Sequence, residues 1–188
     1  MSRASVLWIN MVVLTVLAPA VMAGGSVPEG YRQVAEAHGI PSALFYAVAL
    51  AESGKRIDGL RAMRPWPWTL NVHGDGHFYP SRRAAVSALH EALTSGRTSV
   101  DIGLMQVNWR YHGGAFGRAE EALDPTRNLL VAAAILVACY RSHNDWWVAV
   151  GCYHAPNDPK RAMRYRERVR GLWAGLGAAL GAGLGTAG

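Results

Sequence analysis

The chain has 188 residues, 51% of them apolar, two cysteines and a formal charge of +6. Those figures fit one domain with a sizeable core and exclude both a disordered chain and a disulfide-stapled miniprotein. The basic balance suits an acidic polymer as partner, but no helix-turn-helix, zinc-finger or RNP pattern is present, so nucleic acid is not the expected one.

Residues 1–23 have the layout of a secretory signal peptide. Arg3 supplies the charged start, Val6 to Val21 the apolar middle, and Val21-Met22-Ala23 a small-residue cut site before Gly24. The alternative is an uncleaved anchor, since the apolar run approaches the length of a spanning helix. Pro19 and the alanine-rich end favour cleavage, which leaves no stable membrane span and places the mature chain in the periplasm or outside the cell.

Pro28 to His38 has helical spacing, with Tyr31, Val34 and Ala35 on one face and Gly39 as the stop. Pro41 opens a second, apolar helix that runs to Ser53 and ends at Gly54, which puts Glu52 on its last turn. The segment 55–98 changes character. Pro65-Trp66-Pro67-Trp68 is no helix interior, and Gly74-Asp75-Gly76 reads as the turn of a small β-hairpin between Thr69–Val72 and His77–Tyr79. Ser81 caps a helix over Arg82 to Thr94.

Helical patterning is expected again from Ile102 to Trp109, with Asp101 as its cap. Asp124-Pro125 opens a long helix to about Ser142, Asn144 or Asp145 caps another to Tyr153, and Pro159 precedes a last one to Trp173. From Ala174 to Gly188 the sequence AGLGAALGAGLGTAG reads as a flexible tail. The fold class is thus mostly α, one helical domain over 24–173 with one small β-hairpin insertion. Cys139 and Cys152 fall on neighbouring helices and are open to two readings, a disulfide or two small buried hydrophobes.

Glu52 is the most informative residue. A carboxyl among Ala47-Val-Ala-Leu-Ala51 is shielded from water, and shielding disfavours the charged form, the property required of a general acid in glycoside cleavage. Downstream, Asp101-Ile-Gly-Leu-Met-Gln-Val-Asn108 combines a glycine, an adaptable apolar Met105 and the amides Gln106 and Asn108, a mixture that suits a sugar. The order of Glu52-Ser53, Gly103-Leu-Met-Gln106, Asp124-Pro125 with Asn128, Tyr153-His-Ala155, and Tyr165 four residues before Val169 resembles the SLT-type lytic transglycosylase domain, a relative of goose-type lysozyme.

The resemblance spans about Ile40 to Val169 and implies a lysozyme-like domain that cuts peptidoglycan glycan strands. It implies that Glu52 acts as general acid and then general base, that Met105 and Gln106 line the groove, that Tyr153 holds the wall of the site, and that Tyr165 hydrogen-bonds toward Glu52. Asn108 and His154 complete the implied substrate-binding set. Neither metal nor organic cofactor is called for. In its details the chain resembles the small transglycosylases that accompany conjugation or secretion machines, which implies such an apparatus as a partner. Two departures are plain: the family's Tyr-Asn-Ala-Gly is here Tyr153-His154-Ala155-Pro156, and the stretch from Glu52 to Gly103 is long for the family.

Two rival readings stand beside this one. A hydrolytic lysozyme would place a second carboxylate across the bond, for which Asp101, Asp58 and Asp75 are available. A non-catalytic wall-binding component would use the groove without cutting. His73 and His77 are four apart but straddle a turn, so they do not read as a metal pair. Trp66, Trp68, Phe78 and Tyr79 fit either a lid over the groove or, preferably, the insertion's own small core.

Overall fold

A computed structural model describes residues 27–57 and 63–182. The expected leader, Asp58 and the last six residues lie outside that range. Helix α1 (Glu29–Ala37) buries the stripe Tyr31, Val34 and Ala35 and leaves its other face to an Arg32 ion pair with Glu29 and Glu36. Helix α2 (Ser42–Ser53) differs in kind. Every residue from Leu44 to Ala51 is buried, which makes it a central helix surrounded on all sides.

Its neighbours form a ring. α1 and α7 (Pro159–Ala182) pack on α2, α6 (Trp146–His154) on α7, α5 (Pro125–His143) on α6, and α1 closes back on α5. α6 and α7 approach closely because Gly151 faces Ala162, where an added Cβ would sit 3.1 Å from the Ala162 carbonyl oxygen. A disulfide between Cys139 of α5 and Cys152 of α6 resolves the question the sequence left open.

The β content exceeds one hairpin. Strands β1 (Gly54–Arg56) and β2 (Met63–Pro65) pair antiparallel directly after α2. Gly54 is obligatory there, since a Cβ would collide with the Leu50 carbonyl. The hairpin of β3 (Thr69–Val72) and β4 (Asp75–Phe78) forms as expected, but β3 also pairs with β5 (Val100–Ile102), which pairs with β6 (Val107–Asn108). The sheet order is β4-β3-β5-β6. Helix α3 (Arg82–Thr94), capped by Ser81 accepting from the Ala84 N–H, leads from β4 back into it.

Two expectations are corrected. Ile102 to Trp109 is not a helix: strand, turn and strand occupy it, and only Trp109–His112 is helical, as α4. Buried Val100 and Ile102 alternate with the partly exposed Asp101, a strand period, and Gly103 and Gln106 adopt positive φ (79° and 47°), which no helix interior accepts. The tail expected from Ala174 is helical as far as Ala182. α7 is already nucleated over fifteen residues, Leu172 and Leu176 pack against the core, and extending a formed helix is far less costly than starting one. Among the described residues no helix is long and apolar enough to cross a membrane.

Candidate active site

The turn between β5 and β6, Gly103 to Gln106, is the hub of the site. Three side chains from separate parts of the chain hold it, and one of its own residues closes it. Ser53 Oγ donates to the Leu104 carbonyl at 2.6 Å, which fastens the end of α2 to the turn. Asn128, buried in the first turns of α5, accepts from the Met105 N–H at 2.9 Å and donates to the carbonyls of Ile102 and Ala122 at 2.8 and 3.0 Å. Tyr153 Oη donates to the Met105 carbonyl at 2.7 Å, and Gln106 Nε2 folds back onto the Gly103 carbonyl at 3.0 Å. Gly103 is required twice over, by its positive φ and because a Cβ would lie 2.7 Å from Asn128 Nδ2.

These bonds explain why motifs far apart in sequence converge. Each satisfies a buried polar group of an irregular turn that would otherwise be costly to remove from water. Beside the turn opens a cleft of about 980 Å³, lined by Glu52, Gln106, Asn108, Tyr153, His154 and Tyr165 among others. The structure therefore brings six of the seven residues singled out in the sequence to one cavity. Met105 is the exception: its side chain is fully buried in the core, and only its backbone contributes to the site. Its neighbours in the strands turn inward because the core lies on that side of the sheet.

Glu52 reaches the cleft from the last turn of α2 with 11% of its side chain exposed, and its Oε1 lies 3.4 Å from His154 Nδ1. The His154 ring stacks flat on Tyr165, centroids 4.0 Å apart and planes 5° from parallel. Tyr165 Oη is buried and feels the Glu52 carboxyl as a side-chain hydrogen-bond neighbour, although the pair falls short of a well-aligned hydrogen bond. Burial, then the nearby Glu52 carboxylate, pushes the Tyr165 phenol well above the usual range, and burial with Glu52 and Asp101 does the same for Tyr153. Both tyrosines are neutral hydroxyls.

Asn71, Arg161 and Arg168 of the cleft escaped the sequence reading, whereas Asp101 was expected as a cap or as the second carboxylate of a hydrolase. Asn71, Asp101 and Asn108 stand side by side on β3, β5 and β6, since Asn71 pairs with Asp101 and Asp101 with Asn108 in register. Asp101 does not cap a helix; it accepts from Asn108 Nδ2 at 2.7 Å and borders the cleft. Burial raises its carboxyl above the ordinary aspartate value, against the Asn108 hydrogen bond, and the Glu52 charge adds to the rise. Asp75 instead pairs with His77 at 2.9 Å on β4, away from the cleft, and Asp58 lies outside the described residues. Arg161 and Arg168 of α7 also border the cleft.

The Trp-rich insertion packs on the main core instead of forming a separate one, with Trp68 and Tyr79 against the buried cluster and Phe78 exposed. Trp66 and Trp68 pack edge to face, and Trp66 Nε1 donates to the Tyr79 carbonyl at 2.7 Å. None of the insertion's aromatic rings lines the cleft; Asn71, His73 and Gly74 do.

Comparison with known proteins agrees with this arrangement. Residues 83–170 match the family model of the transglycosylase SLT domain. Three curated relatives, the invasion protein IagB of Salmonella typhimurium strains SL1344 and LT2 and of Salmonella typhi, are each 34% identical over 80 residues, covering 40% of this chain and 49% of theirs. The chain thus spans about half the length of the curated relatives it matches. No solved structure matches. The family match takes in the turn, Asn128, Tyr153 and Tyr165 but begins after Glu52, so the acid's role rests on geometry. Over residues 83–170 the chain is thus similar to the transglycosylase SLT domain family.

Proposed function

We propose that this protein is a peptidoglycan lytic transglycosylase with Glu52 as its single general acid and base. The observation that carries the reading is the position of Glu52: a nearly buried carboxyl at a helix end, aimed into a large cleft and flanked by His154 and two neutral buried tyrosines. A carboxyl so placed can donate a proton to a leaving oxygen and take one back.

In the reaction that fits, Glu52 protonates the oxygen between N-acetylmuramic acid and N-acetylglucosamine, and the C1–O bond breaks. The acetamido oxygen of the muramyl residue closes on C1 and meets the charge developed there, so no protein nucleophile is needed. The Glu52 carboxylate then takes the proton of the C6 hydroxyl as O6 displaces the acetamido oxygen. A 1,6-anhydromuramyl end results, Glu52 regains its proton, and no water is consumed.

The setting we assign is the periplasm or cell exterior. The reading of residues 1–23 supports it, as does the Cys139–Cys152 disulfide, since such bonds persist in oxidising compartments. The relatives' name, invasion protein, supports service to an envelope-spanning conjugation or secretion apparatus.

One observation favours a second reading. Asp101 borders the same cleft and feels the Glu52 charge, which offers the second carboxylate a hydrolytic muramidase would use. Digestion of purified sacculi in heavy-oxygen water separates the two. Transglycosylation leaves the new muramyl ends unlabelled; hydrolysis places solvent oxygen at C1. A wild-type protein that never releases fragments favours wall binding without cleavage.

A further inference from the structure

The substitution of histidine for asparagine at position 154 creates a contact chain that the reaction scheme above does not use. His154 ends α6, and the turn Ala155 to Asp158 leads at once into α7, whose first turn Asp158 caps by accepting from the Arg161 N–H at 2.9 Å. This short connection faces the Arg161 side chain back onto His154, and Arg161 Nε donates to His154 Nε2 at 3.2 Å. On the other side of the ring, Nδ1 lies 3.4 Å from Glu52 Oε1, and Tyr165 stacks beneath and fixes the ring plane.

A guanidinium has only donors. For Arg161 to donate to Nε2, that nitrogen must present its lone pair, and the single ring proton then sits on Nδ1. An imidazolium would set N–H against N–H at Arg161 and cation against cation. Resting on the assignment of Glu52 as the acid, we propose that Arg161 holds His154 as the neutral, Nδ1-protonated tautomer, and that His154 is thereby a positioning residue that donates to Glu52 Oε1. The consequence is chemical. With Oε1 engaged as an acceptor, the transferable proton of Glu52 resides on Oε2, and a neutral donor does not hold the carboxyl ionised as a cation would.

The charged and titratable groups around the ring are Glu52 from α2, Asp101 from β5, and Arg161, Tyr165 and Arg168 from α7, with Tyr153 on its own helix. The two carboxylates favour an imidazolium and Arg161 opposes it. Removing Arg161 leaves Nε2 free to carry a proton, and an imidazolium at this place would pair with Glu52 and withdraw it from acid catalysis.

The test is nitrogen NMR on the full chain labelled at histidine, with the His154 signals identified by their loss in His154→Asn or, should that variant not fold, His154→Gln. Long-range proton–nitrogen spectra at neutral pH are expected to show the proton on Nδ1 in the wild type. In Arg161→Met, a change at an exposed side chain, they are expected to show the Nε2 tautomer or the cation. Wild-type His154 carrying its proton on Nε2, or Arg161→Met leaving the tautomer unchanged, overturns the proposal.

Kinetics supply the second arm. Arg161→Met is expected to move the acid limb of the kcat profile to higher pH, costing about tenfold at its acid end for each pH unit moved. His154→Asn keeps an N–H donor that does not titrate, so adding Arg161→Met to it is expected to leave the limb where it was. A limb that moves equally with and without His154 contradicts the relay. If the NMR result holds while no variant or wild type cleaves glycan, the relay stands and the assignment of Glu52 as the acid is what fails.

Discussion

Tyr165 carries a buried hydroxyl beside Glu52 without a well-aligned hydrogen bond to it, next to the stacked His154 ring. A misaligned bond contributes little to stability, and it gains strength when the Glu52 carboxylate forms. Tyr165→Phe should leave the melting temperature unchanged or slightly raised. It should lower kcat by roughly 10- to 100-fold, the value of one hydrogen bond to a charged group of about 1.5–3 kcal/mol. Asp101 makes a different prediction. Its carboxyl is raised above the ordinary aspartate value by burial, so the folded protein holds this proton more tightly than the unfolded chain does. The stabilisation is therefore complete below the unfolded value and is lost as pH rises through the folded one. Asp101→Asn, which keeps an acceptor for Asn108, should flatten that decline in melting temperature measured across the carboxylate range.

At the scale of elements, the site is a turn gripped by three other parts of the chain, and its stability depends on the grip. Asn128→Ala removes one acceptor and two donors from a buried turn and leaves the Met105 N–H and two carbonyls unpaired. We expect a loss of about 3–5 kcal/mol in denaturant unfolding, at one to three per orphaned group with partial relaxation. Most helices were legible in the sequence because proline, serine, aspartate and glycine mark their ends: Pro41 before α2, Ser81 before α3, Asp124 before α5 and Asp145 before α6. The β5–turn–β6 unit was not. Its four apolar residues within six positions mimic a helical face, and what makes them strands is pairing with β3, thirty residues earlier, a non-local contact that no local pattern announces. The same pairing explains why Asn71 went unremarked as a cleft residue, why Asp101 is not the helix cap expected, and why Met105, read as a groove surface, faces the core.

For the molecule as a whole, a ring of helices around α2 presents one end of that helix to a cleft, and the Cys139–Cys152 bond locks two members of the ring. The bond closes a loop of 13 residues, so reduction should lower unfolding stability by about 3 kcal/mol on chain-entropy grounds, measurable by denaturation with and without reductant. Six of the seven expected site residues meet at the cleft because their motifs are the pieces of one hydrogen-bonded hub. Arg161 and Arg168 were invisible as cleft residues, since in the sequence they are two among many arginines of α7. The most direct measurement is the mass of fragments released from purified sacculi by the wild type and by Glu52→Gln. We predict muropeptides lighter by one water than their hydrated forms from the wild type, and a rate reduced by about 10²–10⁴ in the variant with its melting temperature unchanged, the range for loss of a general acid. Fully hydrated ends, or a Glu52→Gln protein that cuts as fast as the wild type, would contradict the account.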